Sequence, residues 1–204
     1  MKRGSLFIFL CTAFSLNAQI QHGKEDDDFR AFDAGIIAGF NASQVDGDLY
    51  AGFYKIGLNV GGIAHINFNK QWSLSFEILY TQKGAHSNPA AGGDNYNLNL
   101  GYAEVPVAIN YNDQNRLLFS AGLAYGRLFS IKETINGIDT NNDEAFYNDE
   151  LSYHFGGTIL IGEERHFGLN MRYQGSITAI GESANPKLTG AISRMLSFRG
   201  IYYF

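Results

Sequence analysis

Cysteine is almost missing from this sequence. The single one, Cys11, lies inside an N-terminal apolar run, so the rest of the chain can form no disulfide. Proline is scarce too, at three residues, and charged residues make up 17% of the chain where ~25% is usual for a water-soluble domain. No apolar run approaches the ~20 residues a membrane-crossing helix requires; the longest, Leu6 to Leu16, falls well short. A transmembrane helix is therefore not expected. A surplus of positive charge is also absent, since 15 Lys and Arg face 20 Asp and Glu for a formal charge of −5, which excludes the basic footprint of a nucleic-acid partner.

Glycine and aromatics are abundant: 24 Gly, 16 Phe and 12 Tyr. The cationic start Met1-Lys2-Arg3-Gly4-Ser5, the apolar run after it and the small residue Ala18 have the form of a secretory signal peptide, with cleavage expected after Ala18. Leu10 is too bulky for Cys11 to be the lipid-bearing cysteine of a lipoprotein. Removing Lys2 and Arg3 leaves 13 cations against 20 anions, or −7. The polar stretch 19–30, with Glu25-Asp26-Asp27-Asp28, reads as a solvated periplasmic segment ahead of one domain over 31–204.

From Ala31 onward the chain alternates with period two, the signature of strands with two chemically different faces. Eight stretches follow the pattern: Ala31 to Asn41, Tyr54 to Ile66, Trp72 to Lys83, Tyr102 to Tyr111, Arg116 to Lys132, Leu151 to Ile161, His166 to Thr178 and Ile192 to Phe204. Two departures stand out. Leu79 lies on the polar face of the third stretch, and Leu98 and Leu100 sit in the opposite phase to the apolar residues of the fourth, where a bulge is expected. The links alternate in length, short at Asn67 to Gln71, Asn112 to Asn115 and Gly162 to Arg165, long at Ala42 to Phe53, Gly84 to Asn97, Glu133 to Asp149 and Gly181 to Leu188. Alternating short and long links with an even strand count predict an all-β fold: an eight-stranded antiparallel up-and-down transmembrane β-barrel of the outer membrane.

A lipocalin-like soluble barrel would share the alternation with its apolar face turned inward. Three features favour the reverse. The strands are long enough to cross an apolar band at a tilt, aromatics cluster near the ends of the apolar faces, and the chain ends on Phe198, Tyr202 and Phe204 at alternate positions, the form of a carboxy-terminal signal for the barrel assembly machinery. Lys55, Glu77, Lys83, Glu104, Arg172 and Arg199 then fall inside, where confined charges must pair, giving a polar lumen network. Arg127 and Arg194 break the apolar faces about ten residues from the short-turn end. At ~3.3 Å per residue and ~45° tilt that is a climb of roughly 23 Å, to the outer interface, where they read first as cations snorkelling at the rim and, as the alternative, as partners of lipopolysaccharide phosphates.

Ala38 to Gln44, Gly52 to Asn59, Trp72 to Gly84 and Ala103-Glu104-Val105-Pro106-Val107 resemble the PorT-like outer-membrane β-barrel family of Bacteroidota, with the likeness covering about Ala31 to Phe204. The founding member takes part in type IX protein secretion and gliding. Most relatives have no assigned role, so the resemblance implies the barrel and not that activity.

Little else carries chemistry. Ser152 with His154 is the nearest approach to a nucleophile and base, and reads as two small polar lumen residues. His65, His86 and His166 have no metal-ligand spacing. Asp139, Asn141 and Asp143 with Glu150 echo a calcium loop, but Glu144 stands where its glycine belongs. Asp46-Gly47-Asp48 and Gly92-Gly93-Asp94 are turn chemistry in polar loops. Catalytic residues, metals and cofactors are not expected. The expectation is a structural or protein-interaction module, with an envelope protein as partner; the alternative is binding or transport of a small apolar ligand or lipid, which a deep apolar cavity would favour.

Overall fold

A computed structural model describes residues 30–46, 52–87, 96–113, 116–140, 146–162, 165–181 and 190–204. The expected signal peptide, all but the last residue of the polar segment after it, and the expected turns at Gly47-Asp48 and Gly92 to Asp94 lie outside them. Nine strands follow in order: β1 (Phe32–Asp46), β2 (Lys55–Asn67), β3 (Trp72–His86), β4 (Tyr96–Asp113), β5 (Leu117–Ile135), β6 (Ile138–Thr140), β7 (Asp149–Ile161), β8 (Phe167–Ser176) and β9 (Ile192–Tyr203). All pair antiparallel in the order β4-β3-β2-β1-β9-β8-β7-β5, and β4 also pairs with β5, so eight strands close into a barrel. The short β6 pairs with the long-link end of β5.

The strands run further than the alternation indicates. β1 continues to Asp46, β3 to His86 and β5 to Ile135, while β4 begins at Tyr96, so much of three links expected to be loop is strand. Asn136 and Gly137, with φ of 52° and 80°, form the two-residue turn between β5 and β6, the left-handed pair a tight hairpin demands. The expected bulge exists, but on the other strand. Gly101 pairs with Ser130 and Tyr102 with Leu128, which leaves Phe129 as the extra residue in β5. β4 keeps its phase throughout, and Leu98 and Leu100 are buried inside the barrel beside Tyr102.

Two interiors result. At the short-turn end and through the middle, outward residues are apolar and inward ones polar. Phe32, Ile78 and Phe167 are 72%, 74% and 59% exposed, while Glu77, Glu104 and Arg172 are 2%, 1% and 3% exposed. An apolar patch inside that region, Ile37, Ile63, Leu79 and Ile201 with Tyr203 against it, accounts for Leu79, whose phase places it in the lumen. Toward the long-link end the pattern reverses. Val45, Ala85, Tyr96, Leu98, Leu100, Tyr102, Leu128, Phe146, Ile180 and Ala191 pack into one buried cluster, with Ile131 and Ile135 against it. Outward positions there are Gln44, Asn97, Asn99, Ser130 and Lys132. Gly84, with φ of 145°, bends β3 where this second core begins; a Cβ there would collide with the Leu98 carbonyl.

Candidate functional site

The lumen holds two ion clusters. In the one nearer the short turns, Glu77 of β3 accepts from Arg172 of β8 and Arg199 of β9; Arg172 Nη1 and Arg199 Nη1 lie 3.0 and 2.9 Å from Glu77 Oε2. Arg199 also donates through Nε and Nη2 to Asn170 Oδ1 at 2.9 and 2.8 Å, and Asn170 donates to Thr158 Oγ1 at 2.8 Å. β3 stands four strand steps from β8 around the wall, so these bonds cross the lumen.

In the second cluster Lys83 of β3 lies 2.6 Å from Glu104 Oε1 of β4 and 2.8 Å from Glu150 Oε1 of β7, with its ammonium 4.8 Å from the centre of the Tyr102 ring. Thr81 Oγ1 donates to Glu104 Oε2 at 2.9 Å, and Gln174 Nε2 donates to both Glu104 Oε1 and Ser152 Oγ, at 3.0 and 2.9 Å. The first cluster joins two guanidiniums to one carboxylate, and the second two carboxyl groups to one ammonium. Glu77 and Lys83 stand six residue steps apart on β3, roughly 14 Å along the barrel axis at ~3.3 Å rise and ~45° tilt.

Of the six lumen residues named from sequence, Glu77, Lys83, Glu104, Arg172 and Arg199 meet in these clusters. Lys55 does not: it opens β2 at the long-link end, is half-buried, and donates to Asn97 Oδ1 at 3.1 Å. Glu150 takes its place, a residue noted in the sequence only as the twelfth position of the incomplete calcium-loop echo. Its carboxylate points into the barrel onto Lys83, while Asn141, Asp143 and Glu144 lie outside the described residues. Glu150 shares its parity with Ser152 and His154, so extending the sixth stretch by one residue finds it. Ser152 donates to the Ala124 carbonyl at 3.3 Å and accepts from Gln174, with His154 not among its partners.

The outward cations sit at the rim between the two interiors, each against an aspartate. Arg127 Nη1 bonds both carboxylate oxygens of Asp149 at 2.8 and 2.9 Å, and Tyr125 donates to the same group. Arg194 Nε lies 2.8 Å from Asp46 Oδ2. Phe198, Tyr202 and Phe204 all point outward. Phe198 stacks on Phe40 with centroids 5.6 Å apart, and Tyr202 meets Phe167 and Phe204 at 5.0 and 5.9 Å. Among the described residues no group of three or more His, Cys, Asp or Glu is arranged to hold a metal ion.

Among solved structures the barrel is similar to Ail, the attachment invasion locus protein of Yersinia pestis, with a TM-score of 0.52 and 16% identity over 86% of this chain and 100% of that one. It is similar also to Neisserial surface protein A, with a TM-score of 0.50 and 14% identity over 86% and 98%. At such identities these likenesses speak for the fold. No curated protein matches the sequence. A closed barrel with its charges enclosed and its apolar side chains outermost needs a hydrocarbon surround, and residues 17–181 match the outer membrane protein beta-barrel domain: the chain belongs to that family and resides in the outer membrane.

Proposed function

We infer that the protein is a non-enzymatic outer-membrane module, structural or protein-interacting, that presents its long-link end to the outside or to an envelope protein. The observation carrying this reading is the filled lumen. Eight strands leave room for little beyond side chains, and here two ion clusters and an apolar core occupy that space one above another. A conducting path or a deep apolar cavity would require those layers to be missing, which weighs against transport of an apolar ligand. Both clusters tie β3 to strands on the far wall, so they act as transverse braces that rigidify the barrel. Single-channel recording in planar bilayers tests the reading directly: steady conductance by the folded protein would overturn it. So would a chain that stays monomeric and folded in buffer without detergent, the behaviour of a soluble carrier.

Several finer assignments belong to the same proposal. Residues 1–18 are a signal peptide, 19–30 a periplasmic segment and 31–204 the barrel. The motifs quoted above support PorT-like membership and a Bacteroidota source. Phe198, Tyr202 and Phe204 serve the barrel assembly machinery, an assignment supported by their alternate outward placement on the last strand. The short turns face the periplasm, as in other up-and-down barrels of this membrane, which sets Arg127 and Arg194 in the outer leaflet among lipopolysaccharide headgroups.

A further inference from the structure

Charge at the outer rim is not spread evenly around the barrel. Counting about ten residues up each strand from the short-turn end, the outward positions of β2, β3 and β4 are Ile56, Leu58, Tyr80, Gln82 and Ala103, without a charge. The sector running β5-β7-β8-β9-β1 carries Arg127, Asp149, Arg194 and Asp46. Snorkelling alone would serve any strand equally well, so the confinement to one sector points to a bound partner.

The sector has a defined construction. Three strand steps and, by register, four residues along the strand separate Arg127 on β5 from Arg194 on β9, roughly 20 Å along the wall at ~4.8 Å per step and ~3.3 Å per residue. Between and just beneath them lie Tyr125, Tyr153 and Tyr173, the last two with ring centroids 6.3 Å apart. Each aspartate fixes its arginine without consuming it. A guanidinium has five N–H donors; Arg127 reaches Asp149 through one terminal nitrogen and Arg194 reaches Asp46 through Nε, so donors remain on both for a second anion. Tyrosines at an interface offer flat faces and hydroxyls to a ring of similar amphipathic character.

We propose that this sector seats one phosphorylated glycolipid headgroup, its phosphate on Arg127 or Arg194 and its sugar rings across the tyrosines. The proposal rests on the reading of the chain as an outer-membrane barrel among lipopolysaccharide, and narrows that general contact to one site. A phospholipid supplies the phosphate without the rings, which is what separates the two sources. The test is native mass spectrometry of the folded protein in detergent, titrated with lipid A, dephosphorylated lipid A or phosphatidylglycerol. Lipid A should bind one to one and at least tenfold more tightly than either of the others. Arg127→Gln and Arg194→Gln should each weaken it several-fold and the double variant abolish it, while Lys132→Gln, on the outward face beyond the rim, should leave it unchanged. Equal retention of phosphatidylglycerol, or undiminished lipid A binding by the double variant, would overturn the site. Heat-shifted electrophoretic mobility of the same samples reports the folded barrel, so a failed site and a failed barrel give different results.

Discussion

Below Arg127 and Arg194 the wall shows Leu117, Phe119 and Leu123 to the outside and Ser120 and Asn110 to the lumen; above them it shows Asn97, Asn99 and Lys132 to the outside and Leu98 and Leu100 to the lumen. The same strands, β4 and β5, run through both regions, so backbone preference does not set the difference. The surroundings do. Against hydrocarbon, apolar side chains face out and the polar remainder must satisfy itself within; against water the ordinary rule returns and the barrel gains a conventional core. The reversal marks where the membrane ends, and the paired arginines stand on that line.

Seven substitutions sharpen the contrast. The largest effect is expected for Glu77→Gln, which leaves Arg172 and Arg199 facing each other in the lower lumen; the loss should be about 3–5 kcal/mol, read by urea titration of the protein in lipid vesicles. Glu104→Ala and Arg172→Ala should likewise lower the unfolding temperature in detergent, and unchanged stability in both would remove the braces from the account. In the upper region the same scale belongs to apolar truncation: Leu100→Ala, fully buried, should cost about 2–4 kcal/mol in that titration. A charge placed outward separates the regions most simply. Ile78→Arg near the middle of the belt should cost about 2–4 kcal/mol, whereas Asn99→Arg above the rim should stay within about 0.5 kcal/mol. Smallest is Arg127→Gln, whose exposed pair with Asp149 should change stability by less than about 1 kcal/mol even where lipid binding is weakened.

Much of the lower region is legible in the sequence, because period two with strong contrast is a signal each strand carries alone. Phe32, Ala34, Ile36, Ala38 and Phe40 declare one face of β1 without reference to any other strand. The upper region is harder to read for the same reason. Asn97, Asn99, Gln44 and Ser130 give little contrast and resemble loop composition, and the bulge at Phe129 changes parity partway along β5. The sequence exceptions were informative, since Leu79, Leu98 and Leu100 all face inward and the latter two report the second core. Partners were the least legible part. Glu77 meets Arg172 across 95 residues and Lys83 meets Glu150 across 67, pairings fixed by strand order and register around a closed wall and by nothing local. Lys55 shows the limit: its parity suits the lumen, but its place at the outer end of β2 takes it to Asn97 instead.

One strand crosses both regions and offers the most direct test. Single cysteines placed at the outward positions 97, 99, 105 and 109 of β4, spin-labelled in lipid bilayers, can be probed with oxygen, which concentrates in hydrocarbon, and with a water-soluble nickel chelate. Labels at 105 and 109 should favour oxygen and those at 97 and 99 the chelate, with the crossover near Ala103, the residue paired with Arg127. Uniform accessibility along the strand, or chelate contact at 105 and 109, would contradict the reversal on which the account stands.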